Sequence, residues 1–177
     1  MIYVAEYKAP HKLTVQHLRA GLRPMNIYEE VVNRKTIPAN GSESRFQYHA
    51  ERLTASALTQ TYHYMIEGGL DYELLTTGEA TVFLMVDWAE PNVLYYHLAE
   101  PRPEVEAHPE HVQPSSAVGQ LLAFSLLALG RIGERVEHGQ EERHQVAGNL
   151  KTWAEDFEAT LLSIPEGGRF YPCVVGL

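Results

Sequence analysis

Glu6 and Lys8, two residues apart in the run Ile2-Tyr3-Val4-Ala5-Glu6-Tyr7-Lys8, are the pair whose types and spacing could do chemistry. On a strand, residues two apart point to the same face. A carboxylate there can hold a divalent cation while the neighbouring ammonium positions or polarises an attacking water. Farther along, Gln60 and Tyr64 stand four apart in Gln60-Thr61-Tyr62-His63-Tyr64. On a helix they share a face and could approach a substrate backbone together. His11 and Lys12, just beyond the acid–lysine pair, form a small basic group suited to an anionic substrate.

The elements that must position these residues are legible from local signals. The apolar, strand-prone run predicts a strand over Ile2 to Lys8, with Pro10 at its exit. Thr14 reads as the cap of a short helix over Val15 to Ala20, stopped by Gly21 and Pro24, and Asn26 as the cap of another running to about Arg34. Residues 37–42 read as a loop. A long helix is expected from about Glu43 to Glu67, closed by Gly68-Gly69. Phe46, Ala50, Leu53, Ala57, Gln60 and Tyr64 form its inward stripe, polar in its last two members.

Three short runs follow, Tyr72 to Thr76, Ala80 to Asp87 and Asn92 to Ala99, and predict an antiparallel meander. The proline-rich stretch Glu100 to Pro114 reads as a loop. Ser115 or Ser116 caps an apolar helix, Ala117 to Leu129, expected to be buried and too short to span a bilayer. A last amphipathic helix is expected from about Glu141 to Leu162, and the tail Phe170 to Val175 is strand-prone.

Composition sets limits on these readings. A chain of 177 residues with 45% apolar content suits one soluble domain spanning 1–177. One cysteine, Cys173, excludes an intrachain disulfide framework and reads as inert. With no basic stretch leading into an apolar run at the start, an intracellular location in cytoplasm or nucleus and no membrane partner are expected. The net charge of −9 counts against a general duplex-binding surface, because phosphate neutralisation supplies most non-specific affinity. Two His/Glu clusters, Glu106-to-His111 and His138-to-His144, lack a standard zinc spacing.

The Glu6-x-Lys8 pair at a strand end, the helical Gln60-x-x-x-Tyr64 and the hairpin after it resemble the PD-(D/E)xK nuclease superfamily, in its Q-x-x-x-Y branch. Glu6 to Leu13, Gly69-Leu70-Asp71-Tyr72 and Thr77-Gly78-Glu79-Ala80 are similar to a group of fungal proteins in which a nuclease-like module often precedes a kinase-like domain. The resemblance covers Ile2 to about Phe157. It implies an α/β, restriction-endonuclease-like fold: a small mixed sheet flanked by helices, lacking the family's N-terminal strand. It also implies metal-dependent hydrolysis of nucleic-acid phosphodiesters. Glu6 would be the metal ligand, Glu6 and Lys8 the catalytic pair, and Gln60, Tyr64, His11 and Lys12 the substrate side. The cofactor would be weakly bound Mg²⁺ or Mn²⁺, and nucleic acid the partner.

The family's first metal ligand is an Asp on a preceding strand. Glu29, Glu30 and Glu51 are substitutes by helical position, although each also reads as a solvated surface acid. A homo-oligomer is expected, pairing near Ile2 to Ala5 or covered there by the chain's own tail. The alternatives are a catalytically degenerate module for protein binding or oligomerisation, and a site redeployed for a small molecule.

Overall fold

A positive φ of 62° at Gly69 lets the chain leave its longest helix in the left-handed region, where a side chain would be strained, and enter the sheet. In the computed structural model, which describes residues 2–39, 43–130, 137–153, 155–166 and 169, the architecture is mixed α/β. Four strands, β1 (Ala5–Tyr7), β2 (Tyr72–Thr76), β3 (Thr81–Val86) and β4 (Leu94–Ala99), lie in the order β1-β2-β3-β4. β1 runs parallel to β2, and the other pairs are antiparallel. A parallel pair needs a long crossover. Here it contains α1 (Val15–Gly21), a π-helical turn (Tyr28–Val32) and α2 (Glu43–Gly68). The chain divides into two compact units, Met1–Pro10 with Thr61–Leu150, and His11–Gln60 with Lys151–Leu177, so that α2 belongs to both.

The first unit holds the sheet. Its meander matches the expected runs because alternating Val, Leu and Phe give β3 one buried and one half-buried face. Gly78, at φ 83°, makes the β2–β3 turn. β1 is shorter than the seven-residue strand expected over Ile2 to Lys8. Ile2 and Tyr3 leave the ladder to pack on Tyr72, Leu74, Phe124 and Ala128, and the Tyr3 hydroxyl meets Ser125 Oγ at 2.7 Å.

After β4 the expected loop is helical instead: α3 (Pro101–Ala107), a 3₁₀ turn (Pro109–His111) and α4 (Val112–Ser115). Pro101, Pro103 and Pro109 fall in first turns, where a missing N–H costs nothing, and Glu104 accepts the Glu100 N–H at 2.7 Å. Ser116 caps α5 (Ala117–Gly130) by accepting the Gly119 N–H at 3.1 Å. The expectation of a buried α5 is wrong. Only Phe124 and Ala128 are buried, because one sheet face accommodates one stripe of a helix that is apolar all round.

The last expected helix is two, α6 (Gln140–Asn149) and α7 (Phe157–Ser163). Gly148 and Asn149 are poor helix formers, and Asp156 restarts the helix by accepting the Ala159 N–H at 2.7 Å.

In the second unit Thr14 caps α1 with the expected residue, and His17 Nδ1 completes the box by accepting the Thr14 N–H. α1 crosses α2 at Gly21, where a Cβ would lie 2.3 Å from Thr54 Oγ1, so only glycine fits the crossing. Asn26 Oδ1 accepts the Glu29 N–H as a cap should, but the turn that follows is π-helical and ends at Val32. Phe46, Ala50, Leu53 and Ala57 are buried as the stripe predicts. Residues 40–42 and the tail Phe170 to Val175, with Cys173, lie outside the described residues.

Candidate functional site

Parallel pairing sets Ala5 opposite Leu74, Glu6 opposite Leu75 and Tyr7 opposite Thr76. Lys8 N–H extends the ladder by donating to Thr76 O at 2.9 Å. Strand alternation then puts Glu6 and Lys8 on the sheet face that also carries Glu73 and Leu75 of β2 and Val82 and Leu84 of β3. Lys8 Nζ lies 2.9 Å from Glu6 Oε1. The ammonium is 9% exposed and the carboxylate 23%, so the pair is far drier than an ordinary surface ion pair.

Glu73 is the residue that sequence reasoning missed. It is fully buried, and among the described residues neither of its carboxylate oxygens has a hydrogen-bond partner. Burial, and then the negative charge of Glu6 nearby, push its carboxyl up to about 8. A signal was present: an acid in the middle of Tyr72-Glu73-Leu74-Leu75-Thr76, a run read as strand, must either face solvent or be buried for a reason. The structure buries it, at the centre of the sheet.

Two carboxylates on one dry face are oxygen donors of the kind a hard divalent cation takes, and the Lys8 ammonium beside them would not ligate it. Mg²⁺ and Mn²⁺ take oxygen ligands and keep several waters, so two protein carboxylates are an ordinary complement. The orphaned Glu73 oxygens fit such an ion, which would supply the partner they lack. Among the described residues no group of three or more acidic, His or Cys side chains could hold a metal, so any ion here rests on this pair.

Tyr64 is in the same unit as Glu6 but is 40% exposed, its ring 6.0 Å from that of His63, so it does not continue the buried stripe of α2 as expected. The helix narrows to one buried side near its end, where Met65 and Ile66 take the inner positions. Gln60 is half-buried and belongs to the second unit with His11 and Lys12. His11 is exposed, and Lys12 Nζ pairs with Glu158 at 2.8 Å.

Of the substitute acids, Glu29 and Glu30 are exposed as expected. Glu51 is not a solvated surface acid: it is buried, and Arg23 and Arg34 hold its two oxygens at 3.1 and 2.6 Å. The His/Glu cluster at 106–111 is a set of exposed pairs. His138 sits between Asp71 at 3.4 Å and Glu142 at 3.1 Å with its ring stacked on Trp88, which is a packing role.

Comparison with known proteins places the chain in a family. The chain is 29% identical over 160 residues to the meiotic driver SPOK2 of Podospora anserina, across 88% of this chain and 21% of that protein, so it spans about a fifth of the relative's length. No solved structure matches. A family model described as the Spore killer 2 N-terminal domain matches residues 1–154, and the chain belongs to that family.

Proposed function

We propose that the β1–β2 face is a metal-dependent phosphodiesterase site, and that this member of the spore killer family acts as a nuclease module in a meiotic-drive protein. The observation that carries the reading is the buried, unpartnered Glu73 carboxyl beside the Glu6–Lys8 pair. Burying such a group costs stability, and a protein retains that cost most readily at a functional site. Glu6 and Glu73 would hold Mg²⁺ or Mn²⁺. When bound, the ion would lower the pKa of a coordinated water and neutralise charge building on the phosphate. Lys8, held by Glu6, orients the attacking water and faces the developing negative charge. Tyr64, which belongs to the same unit, remains a candidate for the substrate side. The acidic net charge points to local binding of a short or single-stranded substrate rather than to a long duplex groove.

Calorimetric titration with Mn²⁺ at pH 8.5 tests the proposal. Weak saturable binding is expected, with Kd on the order of 10⁻⁴–10⁻³ M, and a repeat at pH 7 should release close to one proton as Glu73 ionises. Glu6→Ala and Glu73→Gln should each abolish it, and with it any Mn²⁺-dependent cleavage of a labelled single-stranded oligonucleotide. Binding that survives both substitutions would end the proposal.

A second reading, an oligomerisation module, is favoured by α5. Val118, Leu122 and Leu126 are 77%, 57% and 58% exposed, and the helix carries no charged side chain. A patch of that kind marks an interaction surface. In a chain of charge −9 the occupant that meets no like-charge repulsion at this helix is the same neutral face of a second copy, whereas an anionic lipid surface repels the chain. The homo-oligomer is therefore proposed at α5 rather than near Ile2 to Ala5, where Ile2 and Tyr3 already pack on their own sheet. Light scattering at micromolar concentration should give a dimer that Leu122→Glu with Leu126→Glu returns to monomer. A monomeric parent chain would remove this reading without touching the first.

A further inference from the structure

The second unit holds a cavity of about 420 Å³ whose walls combine two guanidinium groups with aromatic and aliphatic surface. Arg34 and Arg52 both lie against the Tyr48 ring, 5.4 and 5.9 Å from its centroid. Trp153 forms another wall, and Val31 and Val32 supply an apolar one. Those two valines end the π-helical turn Tyr28–Val32. Such turns are rare and occur often at functional sites, because the wider turn costs hydrogen-bond geometry. Lys151 Nζ lies 4.4 Å from the Tyr28 ring and ties the segment bearing Trp153 to that turn.

The volume is in the range of small-molecule sites. The polar groups specify what kind of molecule. Arg52 Nη2 donates to Glu155 Oε2 at 2.5 Å, and Glu155 is 48% exposed. The chain's own carboxylate thus marks an anion position that a stronger anion could take over. Among the described residues Arg34 gives one N–H to Glu51, and a guanidinium has five, which leaves a fork for bidentate contact with phosphate. The local field agrees: burial, then the charges of Arg45 and Arg52, push the His49 imidazole down to about 4. Each of the cavity's two guanidinium groups is balanced by one carboxylate, Glu51 or the half-exposed Glu155, and both stand beside stacking surface.

We propose that this cavity binds a nucleoside phosphate, its base against Trp153 and the Val31–Val32 wall and its phosphate on Arg52 and Arg34 in place of Glu155. The site shares no residue with Glu6, Lys8 and Glu73 and needs no metal, so it can be tested with the cation site silenced.

The experiment titrates the whole chain, in EDTA, with AMP, ATP, adenosine and inorganic phosphate, and reads heat and indole fluorescence. The chain has two tryptophans, so a Trp88→Phe background makes Trp153 the only reporter. AMP or ATP should saturate and change the Trp153 emission, with adenosine and phosphate each weaker by about tenfold or more. Arg52→Gln should weaken nucleotide binding by a similar factor. Glu155→Gln should tighten it several-fold by removing the competing carboxylate, an effect opposite in sign to any general loss of structure. No saturation at millimolar nucleotide in either the parent or Glu155→Gln would overturn the proposal. So would affinity that neither substitution changes, or phosphate alone binding as tightly as AMP.

Discussion

Replacing Glu73 by Leu is expected to raise stability at pH 8.5 by on the order of 3 kcal/mol while abolishing divalent-metal binding. The carboxyl is fully buried, has no partner among the described residues, and is shifted from its ordinary 4.5 to about 8. Its folded pKa lies above its unfolded one, so between about 4.5 and 8 the folded chain binds the proton and the unfolded chain does not. In that window stability falls as pH rises, by up to about 1.4 kcal/mol per unit for one proton, and it levels off above the folded value. Leu carries no proton and buries apolar surface in the same place, so its advantage should widen from pH 5 to pH 8.5. His17 and His49 are both pushed down, and they contribute the opposite slope, losing stability as pH falls through the His range. The quantity to measure is therefore the difference between variant and parent, from urea unfolding at several pH values. A pH-independent difference, or a variant less stable throughout, would show that Glu73 is satisfied in a way the geometry does not reveal.

The same variant separates function from architecture. If Glu73 is a metal ligand, 1–5 mM Mn²⁺ should stabilise the parent at pH 8.5 and leave Glu73→Leu unmoved, because only an ion bound to the folded state shifts its unfolding. Between pH 6 and 8 the metal must displace the Glu73 proton, so its apparent affinity should climb by about tenfold per unit. A residue that makes the fold weaker yet the site competent is the pattern that a stability–activity trade-off produces.

Local chemistry made much of the fold legible. Thr14, Asn26, Ser116 and the Gly68-Gly69 stop were readable because a cap is a short-range device written in one or two residues. The meander was readable because β3 alternates. Apolar content alone failed twice. α5 looks like a core helix in sequence, but the amount of sheet available to cover it is a tertiary quantity. The stripe ending in Gln60 and Tyr64 assumed one environment along a helix that passes through two units. The candidate site was half legible. Glu6 and Lys8 are two apart on a strand, which fixes their common face. Their nearness to Glu73 depends on which strand β1 joins and in what register, and that pairing crosses more than sixty residues of sequence. Glu51 shows the same limit from the other side, since its two arginine partners come from different parts of the crossover.

Glu51→Ala is expected to cost on the order of 3 kcal/mol, the largest loss predicted for a polar side chain here. Its carboxylate is 5% exposed and accepts from Arg23 Nε at 3.1 Å, Arg34 Nη1 at 2.6 Å and Gln47 Nε2 at 3.0 Å. The acid gathers the end of α1, the segment after the π-helical turn and the first half of α2. Removing it takes the carboxylate from Arg34 and leaves Arg23 with Glu30 alone, the two guanidinium groups facing each other. Both are about a third exposed and can turn toward water, which keeps the cost below that of a fully sealed charge. Taking away either arginine is milder, about 1–2 kcal/mol, because the other still neutralises the acid. Arg23 also holds Glu30 at 2.8 Å, an exposed pair that salt should screen. Raising the salt to 1 M should therefore shrink the Arg23→Gln effect more than the Glu51→Ala effect. A double-mutant cycle between Glu51 and Arg34 should show coupling above about 0.5 kcal/mol. Additive losses, or a Glu51→Ala cost under about 1 kcal/mol, would mean that the three segments are held by their apolar contacts and that the buried acid only accompanies them.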